Sequence, residues 1–534
     1  MSHRIAEMPA TLPLEEAVEF AATTHKHAAE NPPEVIVNGH AHFDPRTAGG
    51  VLIVGSNVVT IRPPRWRAEE DNPTVTTADV MQVPGLTYAE SVAYPDPLEG
   101  RVAHEVEGWV LNPETHDHLS VAKPTDEHPE LIGSCIEEAT VPTNDLYKAG
   151  ILLFEAKRKL YQWAESEGGL FYPSANLAHR PLEESDINNH PYVLRIIRLL
   201  ASTEAFLNFD GAALQSHIER VGTFESHVAA YHNLALVAGP IFAAAMASSP
   251  FYKGQIHPSL AKGGDGAYLA TRYFSRQLGS PEAGLPIRVI PSNADHAAMM
   301  LDDRMRHAAP TPGRIAGHHT ERLRIDLPPY GTSETAGKDS NGHIETNMAI
   351  TAAERIYDTI IERAVMTGDI ERLAKEYPLA VKARFDESDR LAAIANAELL
   401  AQQGLDATVQ GMDGRSHNAR EVRKQILRMC QQEAPPELRD VARHASKWIV
   451  LRTTTPKFED MARDEHGLVT AHGYYNGQPG TLAHYMHARA KQLVDLGFSE
   501  RDAIVNVQED VMAADVAYMK TFRPEKNLAF LKHN

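Results

Sequence analysis

The sequence predicts an α+β fold, and three observations carry that prediction. Short runs that alternate polar and apolar residues, the pattern of half-buried strands, recur between residues 101 and 375. Runs with apolar residues at helical spacing lie among them, without the regular strand-helix alternation that builds a parallel barrel or a doubly wound sheet. Beyond residue 375 the helical spacing prevails. The chain therefore divides into an N-terminal extension (1–100), an α+β catalytic core (101–375) and a mainly helical C-terminal region (376–534).

Composition narrows the function classes. The 534 residues are 43% hydrophobic, enough for a sizeable packed interior, and 52 Lys and Arg stand against 71 Asp and Glu for a net charge of −19. That balance argues against a nucleic-acid or anionic-membrane surface. Only Cys135 and Cys430 are present, so no disulfide framework is expected and the chain reads as cytoplasmic. Met1 to Glu7 lacks the apolar core of a signal sequence. The most apolar run, Leu234 to Met246, is short and interrupted by Gly239-Pro240, and reads as a buried helix.

In the extension, a helix is expected from Leu14 to Glu30 and short strands at Val35–Val37 and Val51–Val54. Loops punctuated by Pro63-Pro64, Asp71-Asn72-Pro73 and Pro95-Asp96-Pro97 follow. His40 and His42 form an H-x-H near the end of a hydrophobic run, which is how metal-dependent amidohydrolases open a binuclear zinc site on a (β/α)8 barrel. The alternation such a barrel requires is missing. His116-Asp117-His118 is a second H-x-H in a histidine-rich chain, and both are expected in surface loops or turns.

The core opens on Val102–Leu111, an acidic strand that ends at an Asn112-Pro113 turn. Side chains alternate along a strand, so Glu105 and Glu107 share one face, where they form either a solvated edge or a pair of oxygen ligands for a divalent cation. Leu131 to Thr140 reads as an apolar strand that ends in carboxylates, with Glu137 at its exit. Asn144-Asp145 then caps a helix in which Leu146, Ala149, Leu153, Ala156 and Leu160 recur at helical spacing. Thr223–Val228 is expected as a strand pairing Glu225 with His227 on one face, followed by an alanine-rich helix opening at His232-Asn233. That helix stops at Ser248-Ser249-Pro250, and Lys262-Gly263-Gly264-Asp265-Gly266 leads to Arg272 and Arg276. Such a segment is either an ordinary surface loop or one whose arginines close over phosphates. Gly342–Asn347 is expected as a strand with His343, Glu345 and Asn347 on one face, before a helix running to Met366. In the C-terminal region helices are expected at Ser388–Gln403, Ala419–Glu433 and Thr481–Leu496.

Taken in order, these motifs resemble the glutamate-cysteine ligase type 2 family, the bacterial carboxylate-amine ligases of the glutamine synthetase-like superfamily. His104-Glu105-Val106-Glu107 matches the family's G-x-E-x-E strand and Ile136-Glu137-Glu138-Ala139-Thr140 its I-E-x-x-T strand end. His227 matches its histidine strand, Ser249-Pro250-Phe251-Tyr252-Lys253-Gly254 its N-S-P-F-x-x-G signature, and Gly342-His343-Ile344-Glu345 the start of its G-x-x-E-x-R strand. His104 stands where the family has glycine, and Asn347 where it has arginine. The resemblance spans residues 101–375 and implies a mainly antiparallel, curved sheet of glutamine synthetase-like type packed with helices. It also implies an ATP-dependent ligase that activates the γ-carboxylate of glutamate, or a similar acid, as an acyl phosphate and joins it to cysteine or another amine. Mg2+, with Mn2+ as a substitute, would be held by Glu105, Glu107, Glu137 and Glu345, with Glu107, Glu345 and Arg272 as catalytic residues. His227, Arg272 and Lys253 would contact ATP. Partners would then be small-molecule substrates, with neither nucleic acid nor membrane, and a homo-oligomer is left open. The alternatives are the hydrolase built on His40 and His42, or a non-catalytic scaffold on the ligase core.

Overall fold

The computed structural model describes four short strands before residue 62. It also describes residues 100–532, except 122–131, 176–178, 181, 189–211, 213, 220, 223, 253, 257–320, 328–329 and 336–337. The N-terminal strands β1 (Ala6–Glu7), β2 (His40–Asp44), β3 (Gly49–Val54) and β4 (Asn57–Ile61) pair in that order as an antiparallel sheet. The strand expected at Val51–Val54 is thus part of β3, whereas the helix at Leu14–Glu30 and the strand at Val35–Val37 lie outside the described residues. His40 and His42 are not in a loop. They sit in β2, which is antiparallel to both its neighbours, whereas the hydrolase barrel needs parallel strands.

The core contains β5 (Val102–Leu111), β6 (Cys135–Ala139), α1 (Leu146–Ser166), β7 (Leu170–Tyr172) and β8 (Leu214–Glu219). They are followed by α2 (Phe224–Asn233), one π-helical turn (Leu234–Ala238), α3 (Gly239–Ala245), β9 (Phe251–Tyr252), β10 (Gln255–Ile256), β11 (Glu321–Leu327) and β12 (Tyr330–Thr335). Six of these strands make one antiparallel sheet in the order β11-β12-β8-β5-β6, with β7 pairing the far end of β5. The α+β expectation holds. β5 is central, and Gly108 has no Cβ because one would stand 2.4 Å from the Phe171 ring on β7.

Two predicted strands are helical. Phe224–Asn233 is α2, so the alanine-rich helix starts nine residues before the expected position. The two-step spacing of Glu225 and His227 puts them about 200° apart around a helix, on different sides. His343 is the N-cap of α4 (Ile344–Met366), its side chain accepting from Thr346 N, and Glu345 lies in the first helical turn. The rest of the chain is α5 (Ile370–Glu376), α6 (Glu387–Gln403), a two-stranded hairpin, α7 (Ala419–Glu433), α8 (Arg439–Arg452), α9 (Leu482–Asp495) and α10 (Glu500–Thr521), with single turns between them. The three C-terminal helices read from the sequence are α6, α7 and α9. Among the described residues no helix is long and apolar enough to cross a membrane.

Helices α1 and α4 cover one face of the large sheet. On that face His104 Nε2 and Ser216 Oγ both meet Thr351 Oγ1 of α4, at 3.1 and 3.0 Å. Buried Lys338 bridges Ser216 and the Glu354 carboxylate of α4. At the start of α4 the helices converge on a second buried charge, where Lys157 Nζ of α1 donates to Asp515 Oδ1 of α10 and to the Gly342 carbonyl, both at 2.5 Å. Gly342 has a left-handed φ of 72°, and a Cβ there would stand 2.8 Å from Asp515 Oδ1. Tyr161 donates to the other Asp515 oxygen. Fully buried Arg452 of α8 donates to Thr346 Oγ1 and to the Tyr474, Gln478 and Gly480 carbonyls. The C-terminal region is therefore tied to the core through polar groups shielded from water.

Replacing Lys157 with Met keeps the volume and strands the Asp515 charge in the interior. Removal of one partner from a buried pair costs about 3–5 kcal/mol. Urea unfolding of Lys157→Met is expected to show that loss, and a midpoint equal to wild type would show that the pair holds nothing.

Burial also sets an acid limit. Desolvation pushes the His104, His118 and His484 imidazoles down to about 3 from an ordinary 6.5. The unfolded chain takes up these protons near 6.5 and the folded chain does not until about 3, so stability falls as pH drops through that window. His484→Gln is expected to flatten the slope of unfolding free energy against pH by one proton, about 1.4 kcal/mol per pH unit. An unchanged slope would mean that His484 protonates as readily folded as unfolded.

Candidate cation site on the central sheet

The strand pairing decides which acids meet. In the β5–β6 ladder Glu107 stands directly opposite Glu137 and Glu105 opposite Ala139; in the β5–β8 ladder Glu105 stands opposite Gln215 and Ala103 opposite His217. Residues directly opposite share a face, and alternation carries that face through Glu105, Glu107 and Trp109. It is the face turned away from α4, because His104 and Ser216 point to the helix. Three carboxylates, an amide and an imidazole are thus gathered on three adjacent strands.

Their surroundings differ. Glu107 is only 4% exposed and accepts a 2.6 Å hydrogen bond from Gln215 Nε2. Its backbone carbonyl accepts from Ser340 Oγ. Glu105 is more open, and its Oε1 lies 3.0 Å from His217 Nε2, close enough to pair when the imidazole is charged. That nitrogen is buried, and Glu105 is the acid it faces. Glu219, at the end of the same face, is neutralised by Arg101, which donates from Nε at 2.9 Å and from its outer nitrogen at 2.5 Å. It is a structural ion pair.

Like charges directly opposite on neighbouring strands repel, with Cβ atoms about 5 Å apart. Glu107 and Glu137 are in that relation, and Glu105 stands two residues from Glu107. A divalent cation would attract both carboxylates, and Mg2+ in particular needs only one or two protein carboxylates beside substrate phosphates and water. The donor set fits it: hard oxygens first, with one imidazole at the margin. Among the described residues no three His, Cys, Asp or Glu side chains converge tightly enough to enclose a metal by themselves.

A wall stands beside this face. Trp109, 1% exposed, donates from its indole nitrogen to the Ser174 and Ala175 carbonyls. Ser174 Oγ donates to the Ser248 carbonyl, and Ser248 N and Ser249 Oγ donate to Asp339 Oδ2. The Ser-Ser-Pro-Phe segment singled out in the sequence is therefore stitched to the strand-like stretch 338–341 that touches Glu107.

The remaining sequence candidates fall elsewhere. Glu345 does not join the other three acids: it is on a helix, on the covered side of the sheet, and accepts from Tyr518 OH and Asn527 Nδ2. Burial pushes its carboxyl above the usual range against those hydrogen bonds. His343 packs against the Tyr518 ring in the same cluster. His227 belongs to helix α2 and not to a strand. Lys253 and Arg272 lie outside the described residues. The histidine that faces the acidic strand is His217, which sequence reasoning missed together with Gln215. The signal was present in Gln215, His217 and Glu219, spaced by two.

No protein-family model matches the chain, and no curated protein matches it. Among solved structures, a bifunctional glutathione synthetase from Pasteurella multocida aligns over 81% of this chain at 11% identity with a TM-score of 0.48. The ligase PafA, solved in complex with the prokaryotic ubiquitin-like protein Pup, aligns over 79% at 12% identity with a TM-score of 0.30. The chain covers 56% of the first protein and 66% of the second, less than two thirds of either. Likenesses this low decide neither fold nor activity.

The opposed acids make a testable demand. With no divalent cation in solution, Glu107→Gln is expected to leave stability unchanged or raise it by about 0.2–1 kcal/mol, because a repulsion is removed. Added Mg2+ should raise the melting temperature of wild type and not of the variant. Equal stabilisation of both would place the cation elsewhere.

Proposed function

We propose that this protein is an ATP-dependent carboxylate-amine ligase whose divalent-cation site is the Glu105, Glu107 and Glu137 face of the central sheet. The observation that supports it is the opposed pair Glu107 and Glu137, one of them nearly buried, with Glu105 Oε1 and His217 Nε2 3.0 Å apart on the same face. An enzyme that handles Mg2+-ATP has a use for such an opposed pair, since the metal neutralises charge on the peripheral phosphate oxygens during phosphoryl transfer. The acidic strand motifs at 104–107 and 136–140 and the antiparallel sheet support the same assignment.

In this proposal Glu107 and Glu137 hold the cation between β5 and β6, and Gln215 fixes the Glu107 rotamer through its amide. Glu105 and His217 lie toward β8, where a second cation or a phosphate oxygen would be received. The acid substrate, the γ-carboxylate of glutamate in the first instance, attacks the terminal phosphorus and ADP departs. An unprotonated amine then displaces phosphate from the acyl phosphate, forming the amide and losing a proton to a base. Glu345, held by Tyr518 and Asn527, shapes the core and does not touch these reactants. The protein works in the cytoplasm on small-molecule substrates.

The test is ADP release from Mg2+-ATP with L-glutamate and a panel of amines that includes cysteine, other amino acids and small polyamines. Release that requires both acid and amine is the expected result, and Glu107→Gln should lower it by at least about a hundredfold, the scale of losing electrostatic stabilisation in a transition state. Full turnover in that variant would remove the site assignment. ATP-independent hydrolysis of amides, or silence with every acid and amine, would count against a ligase.

A further inference from the structure

A groove of about 760 Å3 runs between α7 and α8, in the C-terminal region and apart from the acidic sheet face. Its α7 side is a single stripe, since Arg420, Arg423, Lys424, Leu427, Arg428 and Gln431 follow one another at i, i+3, i+4, i+7, i+8 and i+11. The opposite side of α7 is apolar and buried through Val422, Ile426, Met429 and Cys430. From α8, Lys447 faces the same groove. Five cations and one acid, Glu421, therefore line a cleft in a chain whose net charge is −19.

The fold engages some of these cations: Arg420 pairs with Asp406, Arg423 donates to Thr453 Oγ1 and Arg428 Nε donates to Gln432 Oε1. Among the described residues no carboxylate pairs with Lys424, Arg428 or Lys447, all three exposed. The floor between the two rows is apolar: Leu427, Leu451 and Pro479 line it with Val450, which is 41% exposed.

Three features choose the occupant. Lys424, Arg428 and Lys447 are exposed and spread along the groove, so nothing desolvates and grips a small anion at one point. Among the described residues no aromatic side chain lines the groove, so bases of a single strand find no platform there on which to stack. An apolar floor between charged rims suits a peptide with an apolar anchor flanked by acids. We propose that the α7–α8 groove is a docking site for an acidic segment of a partner protein, seated with an apolar side chain on the exposed Val450 and its carboxylates on Lys424, Arg428 and Lys447. This site is independent of the ligase assignment and stands or falls separately from it.

The experiment selects a randomised peptide library against the full chain, then titrates the winning peptide by fluorescence anisotropy. Wild type is compared with Lys424→Glu/Lys447→Glu and with Val450→Asp. These side chains are exposed, and circular dichroism with unfolding midpoints confirms that the variants fold. The selected peptides are expected to be acidic with an apolar residue. Their affinity should fall by at least about tenfold in the double variant and weaken as salt rises. Four outcomes would overturn the proposal. They are no enriched peptide, peptides without net negative charge, equal binding to wild type and double variant, or displacement by an equal concentration of a single-stranded oligonucleotide. Self-association that is lost in the double variant, with no peptide enriched, would assign the groove to a second copy of the chain instead.

Discussion

The start of α4 is the joint on which this structure turns. Lys157 and Asp515 meet there in the buried interior, from helices more than 350 residues apart in sequence, and their charges are shared with the Gly342 carbonyl and Tyr161. Burial alone pushes the Lys157 amine down and the Asp515 carboxyl up, each toward neutrality, and their mutual attraction opposes both. A buried pair of this kind adds little net stability over an apolar one, but it tolerates no slippage because each charge has one place to be. Glu345 and Arg452 extend the same logic to α10 and α8. The C-terminal helices are thereby fixed to the beginning of α4, and α4 is fixed to the sheet through Thr351 and Glu354.

That arrangement divides the sheet into two kinds of surface. The side under α1 and α4 ties its polar groups to α4: His104 Nε2 meets Thr351 and Lys338 pairs with Glu354, while His104 Nδ1 is buried without a partner. The other side gathers Glu105, Glu107 and Glu137 on one face, where Arg101 pairs with Glu219 at the end of β8. Rigid strands hold these carboxylates at ladder spacing, so their repulsion is built in by register and not relieved by rotation of the backbone. Positioning of this sort is what a metal-dependent phosphoryl transfer asks of a protein, which otherwise has little covalent chemistry to perform.

Much of this was legible in the sequence, and the failures share a cause. The acidic strand, the β6 carboxylates, the Asp145-capped helix and the C-terminal helices α6, α7 and α9 were all readable, because each has a period long enough to be distinctive or a cap at its end. The sequence predicts strands at 223–228 and 342–347 from only two and three polar residues spaced by two. Polar residues at that spacing also occur on helices, where they lie on different sides, and only the longer apolar pattern separates the cases. The α2 error shifted the histidine strand from Leu214–Glu219 to a helix, and so His227 was named where His217 faces the acids. Placing Glu345 with the other acids failed for a different reason. A buried carboxylate that accepts from Tyr518 and Asn527 looks the same in sequence as one that binds a metal, and its partners lie 173 and 182 residues away. Register across a ladder cannot be read from one strand, so the opposition of Glu107 and Glu137 became visible only in the paired sheet.

The central claim is that these opposed carboxylates hold a divalent cation together with a nucleotide. Electron paramagnetic resonance of Mn2+ titrated into the full chain, with and without ATP, measures it directly by counting free and bound ion. The account predicts protein-bound Mn2+ whose affinity rises with ATP and which is lost in Glu137→Gln. Binding of the same strength in that variant, or no bound Mn2+ at all in the presence of ATP, would contradict it.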